Sequence, residues 1–205
     1  MFKDKNEAEV KDRIMLTARD LFIEKGYNGT SVRDIATASG TNVAMINYYF
    51  HSKYNLFEII FEEALDVLIK RVFSILESDI PFFELVEAWI TSYYEILTEY
   101  PQIPIFVLNE INQNPERLTN RIKDYNPYNI FTHISNRIEE EAKKGTIRET
   151  PPLDFLLNII SLCVFPFMFR ILATKVAERS IQEYNEIISN HKTYVTEFVI
   201  NALKP

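Results

Sequence analysis

The sequence predicts an all-α protein in which a three-helix N-terminal head precedes a larger helical body, with about nine helices in all. Three observations carry this. Apolar residues recur at helical spacing along every long segment. Glycine closes the segments of the first quarter, whereas all nine prolines lie at or after Pro81. The stretch from Thr30 to Asn55 reads as two short helices and the start of a third, joined by turns too short for anything but tight packing.

The first helix, roughly Glu7 to Lys25, sets Val10, Ile14, Ala18, Leu21 and Phe22 on one stripe and ends at Gly26. Ser31 followed three residues later by Asp34 is a capping-box start for the second, whose narrow apolar face is Val32, Ile35 and Ala36. Gly40 supplies the positive-φ residue that ends it. From Asn42 a third helix puts Val43, Ile46, Tyr49 and Phe50 towards one side and leaves Ala44, Met45, Asn47 and Tyr48 on the other. Together these make a helix-turn-helix pattern.

The outward side of the third helix is small or apolar, with one amide and one tyrosine, where a solvated helix would carry Lys and Glu. Such a face suits DNA. Ala44 and Met45 can meet thymine methyls, Asn47 can bond an adenine edge, and Tyr48 can reach a phosphate or sugar. Burial against a neighbouring helix is the structural alternative. Ser52 then caps a fourth helix whose first turn holds Lys53, a cation that opposes the macrodipole unless an anion such as a phosphate lies just outside.

From Lys53 to about Ser78 the apolar positions keep helical spacing without a breaker, so one long helix joins a head of residues 1–53 to a body of residues 54–205. In the body, helices are expected over Phe82–Tyr100 and Pro104–Asn112. An irregular or partly helical stretch follows to Asn126, then a helix from Pro127 to Lys144 ended by Gly145. Two long helices close the chain, Pro152 to about Thr174 and Ser180 to Leu203. Phe155, Leu156, Ile159, Ile160, Leu162, Cys163, Phe165, Phe167, Met168 and Ile171 almost encircle the first of them. A second copy of the chain is the economical cover, through a four-helix interface about a two-fold axis.

The net charge of −7 is unevenly shared. Residues 1–53 carry eight Lys and Arg against seven Asp and Glu, and residues 54–205 carry fourteen against twenty-two. The acidic body is repelled by phosphates and the head is not. The lone Cys163 excludes a disulfide framework and reads as a small buried hydrophobe. Charges of both signs fill the N-terminus where a signal peptide needs an apolar run. The longest apolar run, Ile159–Phe169, falls short of the roughly 20 residues a bilayer requires. A soluble, cytoplasmic protein is therefore expected.

No metal, cofactor or catalytic constellation is evident. His51, His133 and His191 are far apart, Glu139–Glu141 reads as a solvated face, and no nucleophile-elbow, phosphate-loop or dinucleotide-binding signature occurs. Enzyme activity is disfavoured.

The run Ser31-Val-Arg-Asp-Ile-Ala, then Gly40, Ile46-Asn-Tyr-Tyr-Phe, Ser52-Lys53 and Leu56-Phe57, resembles the N-terminal domain of the TetR (tetracycline repressor) family of bacterial transcription regulators. The resemblance is specific over about residues 7 to 60 and architectural beyond. It implies a DNA-binding head, an all-helical ligand-binding body, and a homodimer through the two C-terminal helices. It carries base contacts to Arg33, Val43, Ala44, Met45 and Asn47, and backbone contacts to Tyr48, Tyr49 and Lys53, with Ser31 counted among the DNA-contacting residues. Asn47 stands where the family usually has a tyrosine, a departure that bears on operator preference and not on fold.

The family's arrangement also implies an aromatic, sparsely polar effector pocket. Candidates for its wall are Trp89, Tyr93, Phe106, Asn109, Tyr125, Tyr128, Phe131, His133 and Phe165. Asn109, set among Ile105, Phe106, Val107, Leu108 and Ile111, is expected to be a buried amide in need of a partner. Pro166 inside a helix leaves a carbonyl without its donor and bends the chain. The expected function is that of a repressor which binds a near-palindromic operator as a homodimer and is released by a small hydrophobic or aromatic effector. Two other classes remain: a helical module that uses the head to hold a protein partner, and a small helical enzyme on a hydrophobic substrate.

Overall fold

The computed structural model describes residues 2–113 and 115–205, without the side chains of residues 2–7 and Ile171. The described residues form ten helices and no strand. The helices are α1 (Phe2–Gly29), α2 (Val32–Ala38), α3 (Val43–Phe50), α4 (Lys53–Leu76), α5 (Phe82–Glu99), α6 (Ile103–Gln113), α7 (Pro115–Lys123), α8 (Pro127–Lys143), α9 (Pro152–Val176) and α10 (Ile181–Leu203). The all-α expectation holds, and the stretch read as irregular or partly helical contains a helix, Pro115–Lys123. It buries no side chain: proline opens it, Glu116 in the first turn and Arg121 and Lys123 in the last suit the helix dipole, and Arg121 also lies 3.5 Å from Asp66 of α4.

The chain divides into two compact units, one ending at Leu65 and the other beginning at Asp66, so the division falls inside α4. In the first unit the core is Ile14, Ala18 and Phe22 of α1, Ile35 and Ala36 of α2, Ile46 and Phe50 of α3, and Leu56, Phe57, Ile60 and Phe61 of α4. Phe57 is its hub, with ring centroids 5.2 Å from Phe22 and 4.5 Å from Phe61. The helical path of α1 breaks at Gly26 (φ 74, ψ 169), a conformation open to glycine and strained for any other residue.

In the second unit α5 packs against α9 and α10. Trp89 meets Phe155 at 5.9 Å and Tyr94 meets Phe167 at 5.7 Å between α5 and α9; Ile159 and Cys163 of α9 are buried too, and α10 adds Tyr184, Ile188, Val195, Val199 and Leu203. Cys163 is fully buried and unpaired, its thiol pushed up to about 12 by burial, as befits a small core residue. Pro166 lies inside α9, which runs on through it, and the carbonyl of Pro166 accepts a 2.8 Å hydrogen bond from the Tyr184 hydroxyl of α10. Arg137 of α8 donates to the carbonyls of Ser78 and Ile80, 2.6 Å each, and so fixes the α4–α5 connection.

The opposite side of the α9–α10 hairpin is apolar and uncovered. Leu153, Leu157, Ile160, Phe165, Phe169, Leu172 and Val176 of α9 are exposed, as are Ile187, Tyr194 and Phe198 of α10. By length and composition Pro152–Arg170, 19 residues of mean hydropathy 1.8, is enough to cross a membrane, which corrects the shorter run read from the sequence. Its inner stripe, however, is packed against helices of its own unit.

Candidate functional site

Three local devices build the helix-turn-helix. Ser31 caps α2: its hydroxyl accepts from the Asp34 N–H at 3.1 Å, and the Asp34 carboxylate accepts in return from the Ser31 N–H at 2.8 Å and hydroxyl at 2.6 Å. Those two bonds hold the Asp34 carboxyl below the usual range. Asn42 caps α3, its side-chain oxygen accepting from the Met45 N–H at 2.9 Å. Between the two helices Gly40 takes φ 63, and Arg13 of α1 donates to the Ser39 carbonyl at 2.9 Å, pinning the end of α2.

With α3 thus placed, Ile46 and Phe50 are buried and Ala44, Asn47 and Tyr48 are exposed, Tyr48 by 71%. Met45 and Tyr49 are half-buried, and the Tyr48 and Tyr49 rings meet edge to face at 5.1 Å. Val43, expected on the inner side, is 37% exposed at the start of the helix, which puts it with the outward residues. Ser31 and Arg33 are exposed at the start of α2. The outward face holds no acid: an amide, a phenol, two small or apolar side chains and a nearby guanidinium, groups able to meet base edges and phosphates.

Lys53 is differently engaged. Ser52 does cap α4, accepting from the Asn55 N–H at 3.0 Å. The Lys53 ammonium, however, donates to the carbonyls of Tyr27 and Thr30, 2.9 Å each, and lies 4.0 Å from the centroid of the Tyr27 ring. The unfavourable field at the start of its own helix is offset by oxygens at the end of α1. An ammonium has three N–H donors, so one remains for a phosphate. Sequence reasoning missed this clasp and its partner Thr30, which is buried and directs its hydroxyl to the Gly26 carbonyl at 2.9 Å.

The nine candidate pocket residues are not gathered into one wall. Trp89 and Phe106 are core. Tyr93 is half-buried one turn from Trp89 on α5, with burial raising its hydroxyl far above the usual range. Tyr125 packs edge-on against Phe73 at 5.8 Å. Tyr128 and Phe131 are exposed, and Phe165 is exposed and stacked on Phe169 at 5.6 Å. Asn109 is exposed and not a buried amide; the buried polar side chain of α6 is its neighbour Glu110, which has Arg117 at 3.8 Å. His133 lines an open cleft of about 790 Å³ between the start of α5 and α8, together with Phe82, Phe83, Arg137 and Glu141. Its Nε2 is buried and has no hydrogen-bond partner among the described residues. Glu141 also departs from a plain solvated face: it bonds Lys144 at 2.7 Å and interacts with Thr146, which hold its carboxyl below the usual range.

The comparisons agree with this geometry. A family model described as bacterial regulatory proteins of the tetR family matches residues 14–60. The chain is 30% identical over 167 residues to the protein named Probable HTH-type transcriptional regulator YttP of Bacillus subtilis (strain 168), an overlap of 79% of each chain. The negative transcriptional regulator of the biofilm operon icaADBC in Staphylococcus aureus, IcaR, is 43% identical over 49 residues, 24% of this chain and 26% of its own. Among solved structures, that of the TetR family transcriptional regulator PfmR from Thermus thermophilus superposes with a TM-score of 0.66 at 21% identity. That match covers 94% of this chain and 100% of the other and concerns the fold alone.

Proposed function

Because the chain belongs to the TetR family of helix-turn-helix transcriptional regulators, we propose that it is a homodimeric repressor that a small, largely apolar effector releases from a near-palindromic operator. The observation that carries the DNA-binding part is the outward face of α3, where Ala44, Asn47 and Tyr48 are exposed above a buried Ile46 and Phe50. Val43, Ala44, Met45 and Asn47, with Arg33 of α2, read base edges; Tyr48, Tyr49 and Lys53 hold the phosphate backbone, and Ser31 sits at the same rim.

The uncovered apolar side of α9 and α10 supports the dimer. An exposed stripe of this length on a monomer is an interaction surface, and an isologous four-helix interface covers it on both copies at once. Two heads then meet half-sites one helical turn apart, about 34–36 Å. Effector acts as a population shift, favouring a head separation that no longer fits both grooves, and the induction it achieves cannot exceed its difference in affinity for the two states. A DNA-bound regulator of this kind works in the bacterial cytoplasm.

The test is selection of bound sequences from a random duplex pool at two salt concentrations. Enrichment of an inverted repeat with salt-sensitive affinity is the expected result. A folded, dimeric protein that enriches nothing, with or without effector, rules the reading out.

A further inference from the structure

Along α9, Asn158, Ser161, Phe165, Phe169 and Leu172 follow one another at steps of three and four residues, and all five are exposed. They share one face of the helix. The two halves of that face differ in shape. Its first half borders a groove of about 410 Å³ between α9 and the end of α10, whose lining includes Asn158, Ser161, Leu162, Phe198 and Ala202. Its second half carries Phe165 and Phe169, whose rings stack at 5.6 Å and stand 60% and 39% exposed. A hollow and a projecting aromatic pair therefore lie on the same face, about two helical turns apart.

Their placement along the helix is what selects an occupant. Val164 is the middle of α9 (Pro152–Val176), with the groove residues Asn158 and Ser161 before it and the two rings after it. A half-turn about a line through that level brings Phe169 of one copy to the level of Ile159 in the other, and Phe165 to that of Cys163. Both rings then stand beside the groove. The same operation pairs charges. Asp154 is exposed in the first turn of α9, ten residues before Val164, and Lys175 is exposed in the last turn, eleven residues after it. Antiparallel helices crossing at Val164 set acid against base at both ends. A second copy supplies the rings, the groove and both charges in one register, and does so twice.

We propose that the Phe165–Phe169 pair of each copy fills the α9–α10 groove of the other, with the two-fold axis crossing α9 near Val164 and Asp154 facing Lys175 of the partner copy. This rests on the reading of the chain as a homodimer and names the side chains that its interface pairs.

The dimer dissociation constant of the full chain is measured by sedimentation for the wild type, Phe165→Ala, Asn158→Trp and the double variant, with circular dichroism and thermal melts showing that each is folded. Loss of both rings' anchoring in Phe165→Ala is expected to weaken the dimer at least about 10²-fold, because each dimer loses two aromatic anchors. Asn158→Trp blocks the groove and weakens it as well. The double variant should be no weaker than the weaker single, since the two changes remove one contact. A charge series repeats the test on exposed positions: Asp154→Lys and Lys175→Asp each weaken the dimer several-fold, and the two together restore it. Within one chain these residues are 21 positions apart along a helix, about 31 Å, so restoration reports contact between copies. A wild-type dimer left intact by Phe165→Ala, or losses that simply add in either series, overturns the pairing and leaves the homodimer standing. A folded wild type that stays monomeric at every concentration overturns the homodimer itself.

Discussion

The Lys53 ammonium donates to the Tyr27 carbonyl at 2.9 Å while resting 4.0 Å above the centre of the same residue's ring, so one side chain of α4 grips both the backbone and the face of Tyr27. A second bond reaches Thr30, next to the Ser31 cap. The α1 end, the α2 start and the α4 start therefore meet at one cation.

Replacing it by Lys53→Met keeps the stem and removes the charge. The head is expected to lose about 1–3 kcal/mol, the value of hydrogen bonds to a charged donor, seen as a lower melting temperature. Operator and random DNA should both bind more weakly. If the third N–H holds a phosphate, the slope of log affinity against log salt falls by about one, whereas an unchanged slope assigns Lys53 wholly to the clasp.

Asn47→Ala is expected to act in the opposite way. The side chain is exposed and supports nothing in the fold, so the melting temperature should not move. Preference at a single base pair should relax, with a loss of about 1–3 kcal/mol on the best operator and none on random DNA. Equal losses on both would take Asn47 off the base edge.

The capping box gives the head an acid limit. Bonds from the Ser31 hydroxyl and N–H hold the Asp34 carboxyl below its ordinary value of 3.8. A carboxyl lowered by folding stabilises the folded state fully above the ordinary value, and that contribution fades as the pH falls from there through the folded value. Melting curves between about pH 2 and 6 should show a component present in the wild type and missing in Asp34→Asn. Ser31→Ala should cost about 1 kcal/mol at neutral pH.

Phe198 tests the proposed dimer without disturbing the core, since it is 64% exposed on the outer side of α10. Phe198→Glu should retain wild-type helicity and sediment as a monomer. Separating the heads removes their mutual effective concentration, and operator affinity should drop by about 10²–10⁴-fold. A dimer that survives places the interface elsewhere.

The head was largely legible in the sequence because its determinants are local. Ser31 and Asp34 are three residues apart, and Asn42 reaches only to Met45. What was not legible is non-local or conformational. Lys53 finds carbonyls 23 and 26 positions away. His51 makes the turn from α3 to α4 at φ 62, where no glycine announces a left-handed residue. In α6 the apolar run from Ile105 to Ile111 hides the phase of the helix, so Asn109 looked buried, whereas the structure exposes it and buries Glu110. Aromatic spacing likewise cannot separate core from surface: Phe106 and Trp89 are core, whereas Tyr128 and Phe165 are exposed.

The bond from the Tyr184 hydroxyl to the Pro166 carbonyl sets the register of the C-terminal hairpin. Sliding α10 along α9 by one turn, about 5.4 Å, would break it and leave the half-buried Tyr184 hydroxyl without this acceptor. The outward residues of the two helices are therefore cut like the teeth of a key, the same in every folded copy. A related chain that differs along Phe165, Phe169, Tyr194 or Phe198 would present a different cut, and a mixed pair would leave gaps where a matched pair closes.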